Sequence, residues 1–151
     1  MQENREHQSF HVGLKAFVAD KDKLLILQDD EGFWELPGGR IEKGEIHKDL
    51  KDILTRELTE EIGENIRYTI GSIFHSWIRK IEHEEYVDVV YAESDLCISL
   101  VGFYCIFQSG TVTLSHEHQN YKWITKDQVN TLEFENTYKE AVQFYFKSLE
   151  S

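Results

Sequence analysis

A chain of 151 residues with 40% hydrophobic and 13% aromatic residues has the length of one domain and enough apolar matter for a packed core, which excludes wholesale disorder. Its 28 Asp and Glu against 16 Lys and Arg give a formal net charge of -12, so nucleic-acid polymers and anionic membranes are expected to be repelled. Two cysteines, Cys97 and Cys105, both in an apolar run, make no disulfide framework and suggest a reducing cytoplasm with buried thiols. No stretch approaches the roughly 18 apolar residues of a membrane span, and Met1–Ser9 is too polar for a signal peptide.

In chain order, Phe10–Ala19 reads as a strand, Asp20–Lys23 as a tight turn and Leu24–Leu27 as a second, buried strand. Asp29–Gly32 turns the chain towards Phe33-Trp34-Glu35-Leu36, and a Gly38-Gly39 turn follows the single proline, Pro37. Asp49–Ile62 switches to helical period, with Leu50, Ile53, Leu54, Leu58 and Ile62 on one stripe, Asp49 to cap its start and Gly63 to close its end. Ile66–Ile81 and Leu96–Phe107 read as long strands. Between them, Glu82–Asp95 holds six carboxylates and reads as a solvated hairpin or lid, with Tyr86–Tyr91 as a candidate strand. Tyr121–Thr125 is a short strand, Lys126–Leu132 a short helix, and Tyr138, Ala141, Val142, Tyr145 and Leu149 mark a C-terminal amphipathic helix. Mixed strands with one central and one terminal helix make an α/β sandwich in a single domain.

The central helix carries the chemistry. At 100° per residue Glu57, Glu60, Glu61 and Glu64 span roughly a 100° arc bordering the apolar stripe. Like charges at these spacings destabilise an isolated helix by about 0.2–0.5 kcal/mol per pair. Hard oxygen donors gathered this way suit Mg²⁺ or Mn²⁺, although an acidic helix face alone is usually only solvated. The glycine pair upstream allows close backbone approach, and Arg56 can pair with a carboxylate or contact phosphate.

Gly39, Glu45, Arg56-Glu57-Leu58, Glu60-Glu61 and Gly63 resemble the Nudix box, G-x5-E-x7-R-E-U-x-E-E-x-G-U with U bulky and apolar. The lead-in Trp34-Glu35-Leu36-Pro37-Gly38 looks like that of the family too. There are two departures. Ten residues, Ile46–Thr55, separate Glu45 from Arg56 where the pattern has seven, and Glu64 stands where a bulky apolar residue is expected, a packing role that Ile66 can take.

The resemblance implies an α/β/α sandwich around a mixed β-sheet and a metal-dependent hydrolase of a diphosphate linkage in a small nucleotide. The expected reaction takes a nucleoside triphosphate to monophosphate and pyrophosphate. Dinucleoside polyphosphates, nucleotide sugars and a non-catalytic nucleotide sensor are the alternatives. It assigns Glu57, Glu60, Glu61 and the Gly38 carbonyl as Mg²⁺ ligands, with Mn²⁺ able to substitute. Arg56 orients a box carboxylate, and Glu45 makes a supporting contact. Glu57 is the first choice of general base and Glu117 the second, since relatives often carry one before the Tyr121–Ile124 strand. Homodimers are common among relatives, so one is possible here by analogy. Of the remaining residues, His116 and His118 could suggest a transition-metal site such as zinc, but with no convincing third and fourth ligands the H-x-H reads as part of a polar surface loop. Trp34 reads as core, and Arg79 and Lys80 as strand-end cations. Phe33, Tyr86 and Tyr91 are candidates to stack on a base.

Overall fold

In the computed structural model, which describes residues 5–79, 97–135 and 137–150, seven strands and two α-helices follow in order. They are β1 (His11–Asp20), β2 (Lys23–Asp29), β3 (Trp34–Glu35), β4 (Gly38–Arg40), α1 (Leu50–Ile62), β5 (Ile66–Arg79), β6 (Ile98–Gly110), β7 (His118–Ile124) and α2 (Tyr138–Ser148). A 3-10 helix, Lys126–Thr131, occupies the expected short helix before α2. All seven strands join one mixed sheet, β3-β2-β1-β6-β5, with β4 on β1 and β7 on β2. The pair β1–β6 is parallel and the others are antiparallel.

Strand alternation divides the core. Leu24 and Ile26 of β2 face the layer of α2, whereas Leu25 and Leu27 face that of α1, and all four are solvent-free. In β1, Phe17 packs towards α2 while Leu14, Ala16 and Val18 pack under Ile53, Leu54, Leu58 and Ile62 of α1. A sheet buried on both faces explains why these strands read as unbroken apolar runs. The result is the expected α/β/α sandwich.

One local feature positions the site. β1 and β2 pair only beside their hairpin, at Ala19↔Leu24 and Asp20↔Lys23, and then diverge. The fork is filled by β4 against Gly13–Lys15 of β1 and by β3 against Leu27–Gln28 of β2. Gly38-Gly39, expected as a turn, is therefore strand: glycine has low intrinsic strand preference, and here the partner strand imposes the conformation. Gly38 retains the turn-like requirement for glycine, with φ +139, and a Cβ there would sit 1.9 Å from the Leu14 carbonyl oxygen.

Two further expectations need correction. Cys105 is buried, with burial pushing its thiol up to about 12, but Cys97 is only partly buried. His118 lies inside the molecule, not on a surface loop, because it opens β7 and pairs with Asp29 of β2. Trp34 is core, as expected, with Lys122 over its ring. The acidic segment Glu82–Asp95, with Tyr86 and Tyr91, and Lys80 lie outside the described residues.

Candidate active site

The loop from β4 to α1 and the helix itself bring the box residues together. Asp49 caps α1, accepting a hydrogen bond from the Lys51 amide, and Gly63 ends it with φ 88. The longer spacing between Glu45 and Arg56 is absorbed in two parts: Ile46–Asp49 form a turn and the cap, and Leu50–Thr55 are helix. Glu45 is not displaced. The guanidinium of Arg56 grips it in a fork, Nε to Oε2 at 2.7 Å and Nη2 to Oε1 at 2.8 Å, and the Glu42 amide also donates to Oε1 at 2.8 Å. These hydrogen bonds, from Arg56 first, hold the Glu45 carboxyl below the usual range, and the same contact raises the already high pKa of Arg56.

Arg56 also reaches Glu57 at 2.9 Å and Glu60 at 3.2 Å. One cation thus orients three carboxylates. Glu57 is buried and packs against Gly39, where a Cβ would fall 2.2 Å from its Oε2. Glu60 is mostly exposed, and so is Glu64, while Ile66 is buried in the core cluster with Ile53, Leu54, Leu58 and Ile62 of α1. Glu61 is buried and accepts from the Gly38 amide at 2.8 Å. Burial pushes the Glu61 carboxyl up to about 7, against the opposing pull of Lys15 and the Gly38 amide. Burial likewise raises Glu57, against Arg56. Two buried carboxylates for which burial outweighs the neighbouring cations are what a divalent ion would stabilise, and their oxygens are the hard donors that such ions favour.

Three contributors to this site lie far from the helix in sequence. Lys15 of β1 is buried, donates to the Leu36 carbonyl at 3.1 Å and sits 3.8 Å from Glu35. Burial works against its charge, but Tyr138, Glu35 and Glu61 around it outweigh that and keep it protonated. Glu35 meets the Nε2 of His118 at 3.3 Å. The third is the segment ahead of β7, fastened to the last turn of α1 by main-chain bonds: Thr113 N to Ile62 O at 2.9 Å and Ser115 N to Glu61 O at 3.2 Å. These bonds satisfy helix-terminal carbonyls that would otherwise lack partners. They also bring Glu117, which is exposed, beside Glu61: one ligand atom each of Glu61, Glu117 and His118 lie within 4.8 Å of one another. His116 is exposed and is not in that group.

Lys15 and Glu35 were given no site role from the sequence, and His118, weighed with His116 as a transition-metal ligand, was read as surface. The signals were a charge inside an apolar strand at Lys15, the family-like lead-in at Glu35 and the H-x-H spacing at His118. Arg79 is not a free strand-end cation either; it forms an ion pair with Glu135. On the α2 side, β5 and α2 flank a groove of about 730 Å³ in which His75 stacks on Phe144 with ring centroids 4.0 Å apart. Among the described residues no helix is long and apolar enough to cross a membrane.

Comparison with known proteins agrees with this geometry. The family model described as NUDIX domain matches residues 9–145. A protein named nucleoside triphosphatase NudI, from Enterobacter sp. (strain 638), is 33% identical over 102 residues, which is 68% of each chain. Among solved structures, a MutT protein from Methanosarcina mazei Go1 superposes with a TM-score of 0.71 at 21% identity, covering 95% of this chain and 97% of that one. The ORF135 protein of E. coli gives 0.68 at 21% identity over 95% and 96%. An ADP-ribose pyrophosphatase from Streptococcus suis 89-1591 gives 0.65 at 17% identity over 93% and 92%. Identities this low carry the fold alone.

Proposed function

Because the chain belongs to the Nudix hydrolase family, we propose that it hydrolyses a nucleoside triphosphate to the monophosphate and pyrophosphate, with Mg²⁺ as the working ion and Mn²⁺ able to replace it. The observation that carries this reading is the single Arg56 guanidinium bonded to Glu45, Glu57 and Glu60, next to a buried Glu61 held by the Gly38 amide. The triphosphate preference takes its support from the similarity to the relative named as a nucleoside triphosphatase. The reading also sets the protein in the cytoplasm, where such nucleotides are made.

Glu57, Glu60, Glu61 and the Gly38 carbonyl would hold the metal. Bound there, the ion supplies neutralisation of phosphate charge and polarisation of the phosphoryl group. The chain's own residues do the rest. Arg56 keeps Glu57 and Glu60 turned to one side of α1, and Glu45 fixes Arg56 from the loop. Glu57 is the proposed general base, accepting the proton of the water that attacks phosphorus as the bridging P–O bond breaks. Its carboxylate occupies the space that the missing side chain of Gly39 leaves beside β4. Glu117 is the second candidate for that proton. Lys15, buried and protonated, tempers the repulsion between Glu61 and an incoming polyphosphate.

A screen of nucleoside triphosphates, dinucleoside polyphosphates and nucleotide sugars with Mg²⁺ and Mn²⁺ tests the reading, with phosphate products followed directly. Turnover should be best on a triphosphate, release pyrophosphate, vanish with chelator and fall at least about 100-fold in Glu60→Gln and Glu61→Gln. Nucleotide binding without turnover at any metal concentration would replace the enzyme by a sensor.

A further inference from the structure

The metal ligands proposed above are all oxygens, but the structure adds a nitrogen. His118 has a side chain only 4% exposed. Its Nε2 is turned to Glu35 at 3.3 Å, while Nδ1 is buried and has no hydrogen-bond partner. A buried ring nitrogen without a partner is destabilising unless something occupies it. A ring nitrogen of His118, one oxygen of Glu61 and one of Glu117 lie within 4.8 Å of each other, a separation that a single ion can bridge with ligand distances near 2.0–2.3 Å after small side-chain rotations. A carboxylate on one ring nitrogen that leaves the other for an ion is the usual way a protein fixes the ring of a metal-binding histidine. Here that carboxylate is Glu35.

We infer that His118 Nδ1, Glu61 and Glu117 form a mixed nitrogen–oxygen metal position that favours Mn²⁺, Co²⁺ or Zn²⁺ over Mg²⁺. It rests on the proposed metal-dependent reading and shares Glu61 with it. Two carboxylates and a neutral imidazole leave two negative charges for a dication. An imidazole nitrogen adds affinity for first-row transition ions, whereas Mg²⁺ prefers oxygen and gains little from it. The main-chain bonds from Thr113 and Ser115 to the end of α1 hold the two halves of the position together before any ion arrives. Glu35 is the positioning residue: it makes no contact with the ion and acts by holding the ring.

Calorimetric titration of the intact protein with Mn²⁺ and with Mg²⁺, and the visible absorption of added Co²⁺, test this without any substrate. Glu117→Gln, on an exposed side chain, keeps the fold, and His118→Gln keeps a polar group beside Glu35. Each should weaken the tightest Mn²⁺ binding about tenfold or more and change Mg²⁺ binding less than about threefold. His118→Gln should also remove the nitrogen-dependent part of the Co²⁺ spectrum. Equal losses for Mn²⁺ and Mg²⁺, or a Co²⁺ spectrum unchanged in His118→Gln, overturn the inference and leave the all-oxygen site standing. Absence of divalent binding in the wild-type protein overturns both.

Discussion

Gly38 and Gly39 are adjacent and chemically identical, yet a methyl group at each meets a different obstacle. At Gly38 it strikes the Leu14 backbone with φ already at +139, so the sheet itself must move. At Gly39 the nearest atoms it meets all belong to the carboxylate end of Glu57, a side chain that can swing away. Gly39→Ala should therefore lose less than about 1 kcal/mol of stability in urea unfolding while kcat falls at least tenfold, because the displaced carboxylate leaves Arg56. Gly38→Ala should instead lose about 1–3 kcal/mol or more. Comparable unfolding midpoints for the two variants would contradict this division. The sequence pattern marks Gly39 but not the reason for it, which is the distance to a side chain eighteen positions away.

At the scale of elements, α1 was legible from its apolar stripe, Asp49 and Gly63, because those signals are local. The two long strands after it were legible for the same reason: β5 starts at the expected Ile66, and β6 runs three residues past the expected Phe107. β4 was not, since its conformation comes from β1, and neither was the burial of His118, which depends on β7 pairing with β2 far upstream. The consequence of the longer loop before Arg56 was equally hidden. The turn at Ile46–Asp49 lets Glu45 still reach Arg56. That contact pins the loop to the helix and gives it a pH signature. The Glu45 carboxyl is depressed in the folded state relative to about 4.3 in an unfolded chain, so its stabilisation is complete above about pH 5 and is lost as pH falls through the folded value. The gap in thermal midpoint between wild type and Glu45→Gln should be widest near neutral pH and close as the pH falls through the lowered pKa of Glu45. A gap independent of pH would mean that shape rather than charge holds the loop.

For the whole molecule, a net charge of -12 argued against anionic partners. The structure narrows that inference, because the buried part of the charge on Glu57 and Glu61 lies along the second half of α1, with buried Glu45 tied to it from the preceding loop through Arg56. The protein should therefore distinguish divalent cations from simple screening. At matched ionic strength, a divalent ion at 100 times its dissociation constant stabilises by about 2.7 kcal/mol, or roughly 5–11 °C for a chain of this size. NaCl should give only the small gain due to reduced self-repulsion. Glu61→Gln should flatten the response to the divalent ion and leave the response to NaCl intact. If both salts raise the midpoint alike, the carboxylates act only as diffuse charge.

The attachment of the segment ahead of β7 to the end of α1 uses amides and carbonyls that every residue except proline provides. Its spelling is therefore largely free: Thr113 and Ser115 can change without moving His118 relative to Glu61, so long as the number of residues is kept and no proline removes a donor. Length, rather than identity, is the inherited information in this stretch. One residue gained or lost between Gly110 and His118 would do more harm to the site than most substitutions there.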